Sequence, residues 1–361
     1  MALPQLNKPR QRAFAVVLLL IIGSFFAWGF SHLPLQDARL AIDWKVLWSA
    51  THGFQATYGG GDIISPPWVL PLLWPLTSLP LAYGWGVLAF ITVLVLLLSV
   101  PRTRQKSRWL AGVALLITAY PTLRQLVDGN LELAVIGGVM LALWAIKARQ
   151  PVFLALGVLL AAAKIQASWL LLPFLAFWVL RNWPRRAVLQ SAGALALFAV
   201  PSFIWRGGEW LAALRVYRYP GSAIDSNLRA TLHRLGLPPL ATWLVWGALA
   251  AITLWLLLRS ENRLGRVQVG WLAAAALLLG PYAASNSVLT PLALGVIPFY
   301  QQKPFWGLAL IALFNLPYLA LGNPGLRVAW ESSYWTMVLL LTWLVLGVFL
   351  GRLSTQNRQN A

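Results

Sequence analysis

Apolar residues run along this chain in long unbroken blocks rather than in the alternating or 3.6-residue pattern of half-buried strands and helices. The blocks cover 13–31, 66–100, 109–122, 130–146, 152–163, 167–180, 187–205, 241–258, 268–282, 287–300, 305–320 and 335–351. A bilayer core takes about 20 apolar residues per helix, and fewer where helices are broken or buried in a bundle. The pattern therefore predicts an all-α integral membrane protein with about twelve transmembrane helices, one per block, forming a single polytopic domain over 1–361. The first half of 66–100, with Pro66, Pro67, Pro71, Pro75 and Pro80, is expected only to dip into the membrane, and 152–163 and 167–180 form a short pair. The first block has no small-residue cleavage site and reads as a retained helix.

Two polar stretches interrupt the pattern at length, 32–65 and 206–240, and loops of that size are usually functional. In the first, Trp44, Leu47, Trp48 and Phe54 follow the helical period after Asp43, with Gly53 as a stop. This predicts an amphipathic interfacial helix with Trp44 and Trp48 at headgroup depth. Tyr58 and three glycines then lead into Ser65-Pro-Pro-Trp68. The second stretch interleaves Arg206, Arg215, Arg218, Arg229 and Arg234 with Trp205, Trp210, Tyr217 and Tyr219. It suits an anionic headgroup or a sugar phosphate, and equally a solvated surface helix touching anionic lipids.

Composition strengthens the membrane reading: 59% of residues are apolar, 10% are charged and 21 are Trp. A net charge of +19 raises nucleic-acid binding, but the basic residues are scattered over block ends instead of forming a stripe, so no nucleic-acid partner is expected and membrane lipids account for them. With the N-terminus in the cytoplasm, 18 basic residues fall inside, in short linkers and two tails, and ten fall outside. Both termini are then cytoplasmic in a multi-pass cell-membrane protein. Asp37, Asp43, Asp62, Asp128, Glu132, Glu209, Asp225 and Glu331 are all external and only Glu261 is internal. Acidic residues contribute little to topology, so this asymmetry points to a polar site facing outward.

Asp43 is the leading candidate there, since a carboxylate at the bilayer surface can act as general base on a sugar or lipid hydroxyl; it can also simply cap the helix it begins. Asp37 is its neighbour and a possible partner of Arg39. Lys164, in Ala161-Ala-Ala-Lys164, falls at the outer turn of a short hairpin, where it either contacts a phosphate or snorkels to water. Glu132 enters the apolar block beside Arg124, Asp128 and Asn130, and needs a cation, from Arg124 or Lys164. Gly280-Pro-Tyr282 and the following Asn286 and Ser287 make a further polar outer turn.

The chain has no Cys, which excludes disulfides and thiol chemistry, and His32, His52 and His233 lack metal-ligand spacing. No phosphate-binding loop or dinucleotide fingerprint is present, so neither a metal nor a nucleotide cofactor is expected. A donor substrate would arrive through the bilayer.

These residues resemble the polyprenol-phosphate-sugar-dependent glycosyltransferases of the GT-C superfamily, in particular glycosyltransferase family 87, which includes bacterial mannosyltransferases. The resemblance rests on Asp43-Trp44, Tyr58, the proline-rich run Ser65 to Pro80, Gly129-Asn-Leu-Glu132, Ala161-Ala-Ala-Lys164, Ser226-Asn-Leu-Arg229 and Gly280-Pro-Tyr282, in that order over roughly 13–300. Asn130 stands where the family has Gln, Glu132 where it has Asn, and Asn286 where it has His or an acidic residue. The resemblance implies a GT-C fold and inverting transfer of a hexose, with mannose expected, from a polyprenyl-phosphate sugar to a lipid or glycan acceptor. It implies Asp43 as base, Lys164 on the phosphate with help from Arg39, Arg215 or Arg218, and substrate contacts from Asn130, Glu132, Asn227, Tyr282 and Asn286. The other readings are a transporter or flippase of a lipid-linked glycan, whose ionisable residues should lie near the bilayer midplane, and an inactive scaffold. Neither inverted helix pairs nor internal repeats are visible in the sequence.

Overall fold

In the computed structural model, residues 9–37, 39–52, 58, 65–216, 225–259, 264–320 and 324–359 are described. The fold is all-helical, 84% helix, with no strand among the described residues. The first helices are α1 (Pro9–Ser31), α2 (Ile42–Thr51), α3 (Val69–Thr77), α4 (Leu81–Ser99), α5 (Lys106–Ile117) and α6 (Tyr120–Asp128). They are followed by α7 (Glu132–Ala148), α8 (Pro151–Ala161), α9 (Ile165–Ser168), α10 (Leu171–Asn182) and α11 (Arg185–Val216). The last are α12 (Leu228–Arg234), α13 (Pro239–Arg259), α14 (Arg266–Leu279), α15 (Leu289–Pro291), α16 (Ile297–Gln302), α17 (Pro304–Asn315) and α18 (Pro324–Gln359).

Five helical stretches among the described residues are long and apolar enough to cross a bilayer: Leu81–Ser99, Pro151–Ser168, Arg185–Arg215, Pro239–Arg259 and Ser333–Arg352. The bent pair α5 and α6, at 50°, makes a sixth if counted as one span. The expected twelve is not confirmed by helix length and composition among the described residues. The reason is breakage: several apolar blocks form helices of 10–17 residues, including Leu171–Asn182 and Arg266–Leu279, too short to cross alone. The block 66–100 divides at Ser78-Leu79-Pro80, where proline cannot continue the helix, and its first half is the separate short helix α3. The helix α11 runs on to Val216, so the first eleven residues of the expected loop 206–240 are helical.

Residues Val267 to Leu279 of α14 are all buried, and the main core assembles around them from α7, α10, the 288–300 segment and α18. In contrast, the apolar windows of α11 and α13 are only 6% and 11% buried, which is the surface expected of lipid-facing helices. Close crossing of α7 and α8 depends on small residues: a Cβ on Gly138 would lie 2.4 Å from the Ala161 nitrogen. Chain reversals sort the loops into two ends. At one, Arg108 donates to the Gln301 carbonyl at 3.1 Å, Gln301 to that of Pro101 at 2.7 Å, and Arg266 to that of Ser99. The short basic linkers gather at this end. At the other lie α2, α6, the α8–α9 break, α12 and the 280–288 turn.

The helix expected after Asp43 is present as α2, but Trp44 is covered by protein and exposes nothing to a headgroup. It is fully buried in a second apolar cluster with Trp85, Leu70, Leu73 and Tyr58. Its Nε1 donates to the Leu81 carbonyl at 2.8 Å, and Trp48 donates to that of Leu79 at 2.9 Å. The two indoles thus lock α2 onto the broken segment between α3 and α4, where protein replaces the water or lipid that sequence reasoning assigned them.

Candidate active site

Asp43 lies in the first turn of α2, but it is not the cap. That place belongs to Ala41, in a left-handed conformation (φ 53°), whose N–H donates to the Val127 carbonyl at 2.8 Å. With its backbone so fixed, the Asp43 side chain points away from the helix end. Its Oδ2 accepts from Asn286 Nδ2 at 3.0 Å and from Asn130 Nδ2, while Oδ1 makes no hydrogen bond among the described residues.

Asn130 is delivered by a turn that favours glycine for its backbone and leaves no room for a side chain. Gly129 ends α6 at φ 68°, and a Cβ there would lie 2.5 Å from that of Trp44. The amide Oδ1 of Asn130 then accepts from Lys164 Nζ at 2.8 Å. Lys164 stands where the α8 helix tightens into a 3₁₀ turn, the outer break that its sequence context predicts. Its ammonium pairs with Glu132 Oε1 at 2.7 Å and also approaches Ser287 Oγ at 3.2 Å and Asn286 Oδ1 at 3.4 Å. Glu132, at 0% exposure, accepts on Oε2 from Thr290. Lys164 is therefore the cation Glu132 requires, and Arg124 instead pairs with Asp128 at 3.1 Å.

Three of these residues, Asp43, Asn130 and Lys164, reach a cavity of about 500 Å³, while Glu132, Asn286, Ser287 and Thr290 stand behind them. Asp43, Asn130 and Lys164 line it together with Ser65 and Gln166, and Val46, Leu47, Leu131, Trp169, Trp210 and Leu214 make the rest mostly apolar. An apolar chamber with a few convergent polar groups on one side is the usual form of a small-molecule or lipid site.

The other candidates sit elsewhere. Asn227 is almost wholly buried: its Oδ1 caps α12 through the Ala230 N–H at 2.8 Å, and its Nδ2 donates to the Pro281 carbonyl at 2.9 Å. Asp225 accepts from Ala283 N–H at 2.9 Å and from Asn227 Nδ2 at 2.8 Å. Burial pushes the Asp225 carboxyl above its usual range, against the pull of the Ala283 and Asn227 N–H bonds. Both residues clamp α12 to the turn after α14. Tyr282 is half-buried beside them and does not line the cavity. Arg39 is exposed, and its backbone N–H, not its guanidinium, meets Asp37 at 2.8 Å. Arg215 is exposed near the end of α11, next to the cavity-lining Leu214. Arg218 and the glycines of 59–61 lie outside the described residues. Among the described residues no group of three His, Cys, Asp or Glu could hold a metal.

Sequence reasoning missed Thr290, Gln166 and Trp169, and placed Trp210 in the second polar stretch without bringing it to Asp43. A threonine inside an apolar block and one tryptophan among 21 carry no signal until the helices are packed.

Residues 64–281 match the model of glycosyltransferase family 87, more than half of the chain. The chain belongs to glycosyltransferase family 87. Neither the curated proteins nor the solved structures contain a match. The glycosyltransferase match includes Asn130, Glu132 and Lys164 but stops short of Asp43 on one side and Asn286 on the other. Those two join the site through tertiary contact alone.

Proposed function

We propose that this glycosyltransferase moves a hexose, mannose first among the candidates, from a polyprenyl-phosphate carrier to a hydroxyl of a lipid or glycan acceptor, with inversion. The observation that carries the reading is the Asp43 carboxylate on the cavity wall, one oxygen held by Asn130 and Asn286 and the other left open. In the reaction, the acceptor hydroxyl gives its proton to Asp43 Oδ1 as its oxygen bonds to the sugar C1. The bond from C1 to the phosphate oxygen breaks, and its electrons leave with the polyprenyl phosphate. A base held by two amide donors loses little freedom on reacting, the advantage of a preorganised site.

Lys164 supplies positive charge on the same wall for the leaving phosphate, and Arg39 and Arg215 draw the anionic donor toward this end. The predominantly apolar lining suits the first isoprene units of the carrier. A lipid-delivered donor is consistent with the absence of any nucleotide-binding motif in the sequence. The site then faces the outer leaflet of the cell membrane, with the termini cytoplasmic, because the basic linkers gather at the opposite end.

The test is transfer of radiolabelled mannose from a short polyprenyl-phosphate-mannose by purified wild type and Asp43→Asn, with other donor sugars in parallel. Transfer by the wild type that is lost in the variant, at equal amounts of folded protein, supports the reading. Equal transfer by both sinks the assignment of the base, and absence of transfer by the wild type across all donors moves the weight to a carrier or a scaffold.

A further inference from the structure

Glu132 is buried completely, touches no part of the cavity, and yet is tied to Asp43 through a short chain of contacts. Its two oxygens are used by Lys164 and Thr290. The Lys164 ammonium has three protons, and the acceptors around it are Glu132 at 2.7 Å, Asn130 Oδ1 at 2.8 Å, Ser287 Oγ at 3.2 Å and Asn286 Oδ1 at 3.4 Å. Asn130 and Asn286 each turn their amide oxygen to the ammonium and their Nδ2 to Asp43 Oδ2. A flip of either amide would set N–H against the ammonium and C=O against the carboxylate, so the two charges fix both orientations.

A buried ion pair is usually no more stabilising than a well-packed apolar pair, so stability alone does not account for this one. Charge balance does. Were Glu132 neutral, the Lys164 ammonium would have no carboxylate of its own and would be drawn toward Asp43, one amide away through Asn130. With Glu132 ionised, the ammonium already has its partner.

We infer that Glu132 is a positioning residue for the transfer reaction: it holds Lys164 so that the Asn130 and Asn286 amides keep one oxygen of Asp43 engaged and leave the other to the acceptor hydroxyl. The inference rests on the functional reading above for its kinetic consequence, but the clamp on Lys164 is separable from it.

The experiment uses the full chain in detergent, as wild type, Glu132→Gln, Thr290→Val and Thr290→Ser. Reductive methylation read by peptide mass spectrometry reports the freedom of the Lys164 amine, with exposed Lys106 and Lys303 as internal standards. Lys164 should be protected in the wild type and methylated measurably faster in Glu132→Gln, though still below the exposed standards because the amine stays buried and near Asn130, Asn286 and Ser287. In transfer assays, kcat of Glu132→Gln should fall about 100-fold, as misplacement of a reacting group by an ångström does. Its donor KM should not rise, because the Lys164 charge that meets the phosphate is kept, so the loss falls on kcat, the pattern of an interaction expressed in the transition state. Thr290→Val, which leaves every charge in place, should move both readouts in the same direction, and Thr290→Ser should restore them. Equal protection of Lys164 in Glu132→Gln and wild type overturns the inference, as does a kcat per folded molecule that matches wild type. If the wild type transfers no sugar, the functional reading fails, and the methylation pattern still decides whether Glu132 holds Lys164.

Discussion

Replacing Gly129 by alanine tests whether the α6–α7 turn builds the site. Two costs add. Alanine in the left-handed region costs about 1–2 kcal/mol. The new Cβ also meets Trp44 Cβ at 2.5 Å and Trp85 Cδ1 at 3.2 Å. Both indoles are fully buried and bonded to backbone carbonyls, Trp44 to Leu81 and Trp85 to Leu126, so neither can swing away. Overpacking of that kind costs about 1–3 kcal/mol, for a total of about 2–5 kcal/mol. Gly236 provides the control, because it has φ 78° and nothing within 4 Å of a built Cβ. Gly236→Ala should therefore show the conformational cost alone. The assay is thermal unfolding of both variants in one detergent, read as the fraction remaining monodisperse, together with transfer activity. Gly129→Ala should unfold at the lower temperature and lose activity in the protein that stays folded, since Asn130 follows the turn. Equal loss of stability in the two variants would refute the argument that Trp44 and Trp85 hold this turn.

Lys164→Met leaves Glu132 buried without its cation and should cost about 3–5 kcal/mol. The double variant Lys164→Met with Glu132→Gln should recover most of that in thermal unfolding, although neither should regain transfer. Asn227→Ala removes the cap of α12 and should cost about 1 kcal/mol for the cap alone. Hydrogen exchange should quicken across 228–234 while the cavity-lining segments of α2 and α8 keep wild-type protection.

Much of the candidate site was legible in the sequence because intramembrane polar residues are expensive and so stand out. Lys164 and Glu132 were conspicuous as charges in apolar runs, and their mutual need for a partner followed from that. The acidic residues that the sequence put on one side include Asp43, Asp128, Glu132 and Asp225, which lie at the end of the helices that carries the cavity. Asp43 was visible as a carboxylate opening an amphipathic helix, but its two competing roles were not separable, because an N-cap and a catalytic base look alike in one dimension. The structure separates them: Ala41 takes the cap position and the carboxylate turns toward Asn130 and Asn286.

What the sequence by itself determined was the membrane-helical class, the broken segment at Pro80 and the short helix after Asp43, since each depends on local backbone chemistry and on the free energy of moving a side chain into lipid. Family membership also follows from residues 64–281 alone. Only the tertiary structure decided which apolar runs form long continuous helices and which break, because a run of apolar residues measures burial without distinguishing lipid from protein. For the same reason Trp44 was assigned to the headgroups when its partner is the Leu81 carbonyl. The convergence of Asp43, Asn130, Lys164 and Asn286 likewise came from packing, since 243 positions separate the two ends of the Asp43–Asn286 hydrogen bond. No local pattern specifies a contact across that distance; the close approach of small-residue helices and the buried charge balance around Lys164 do.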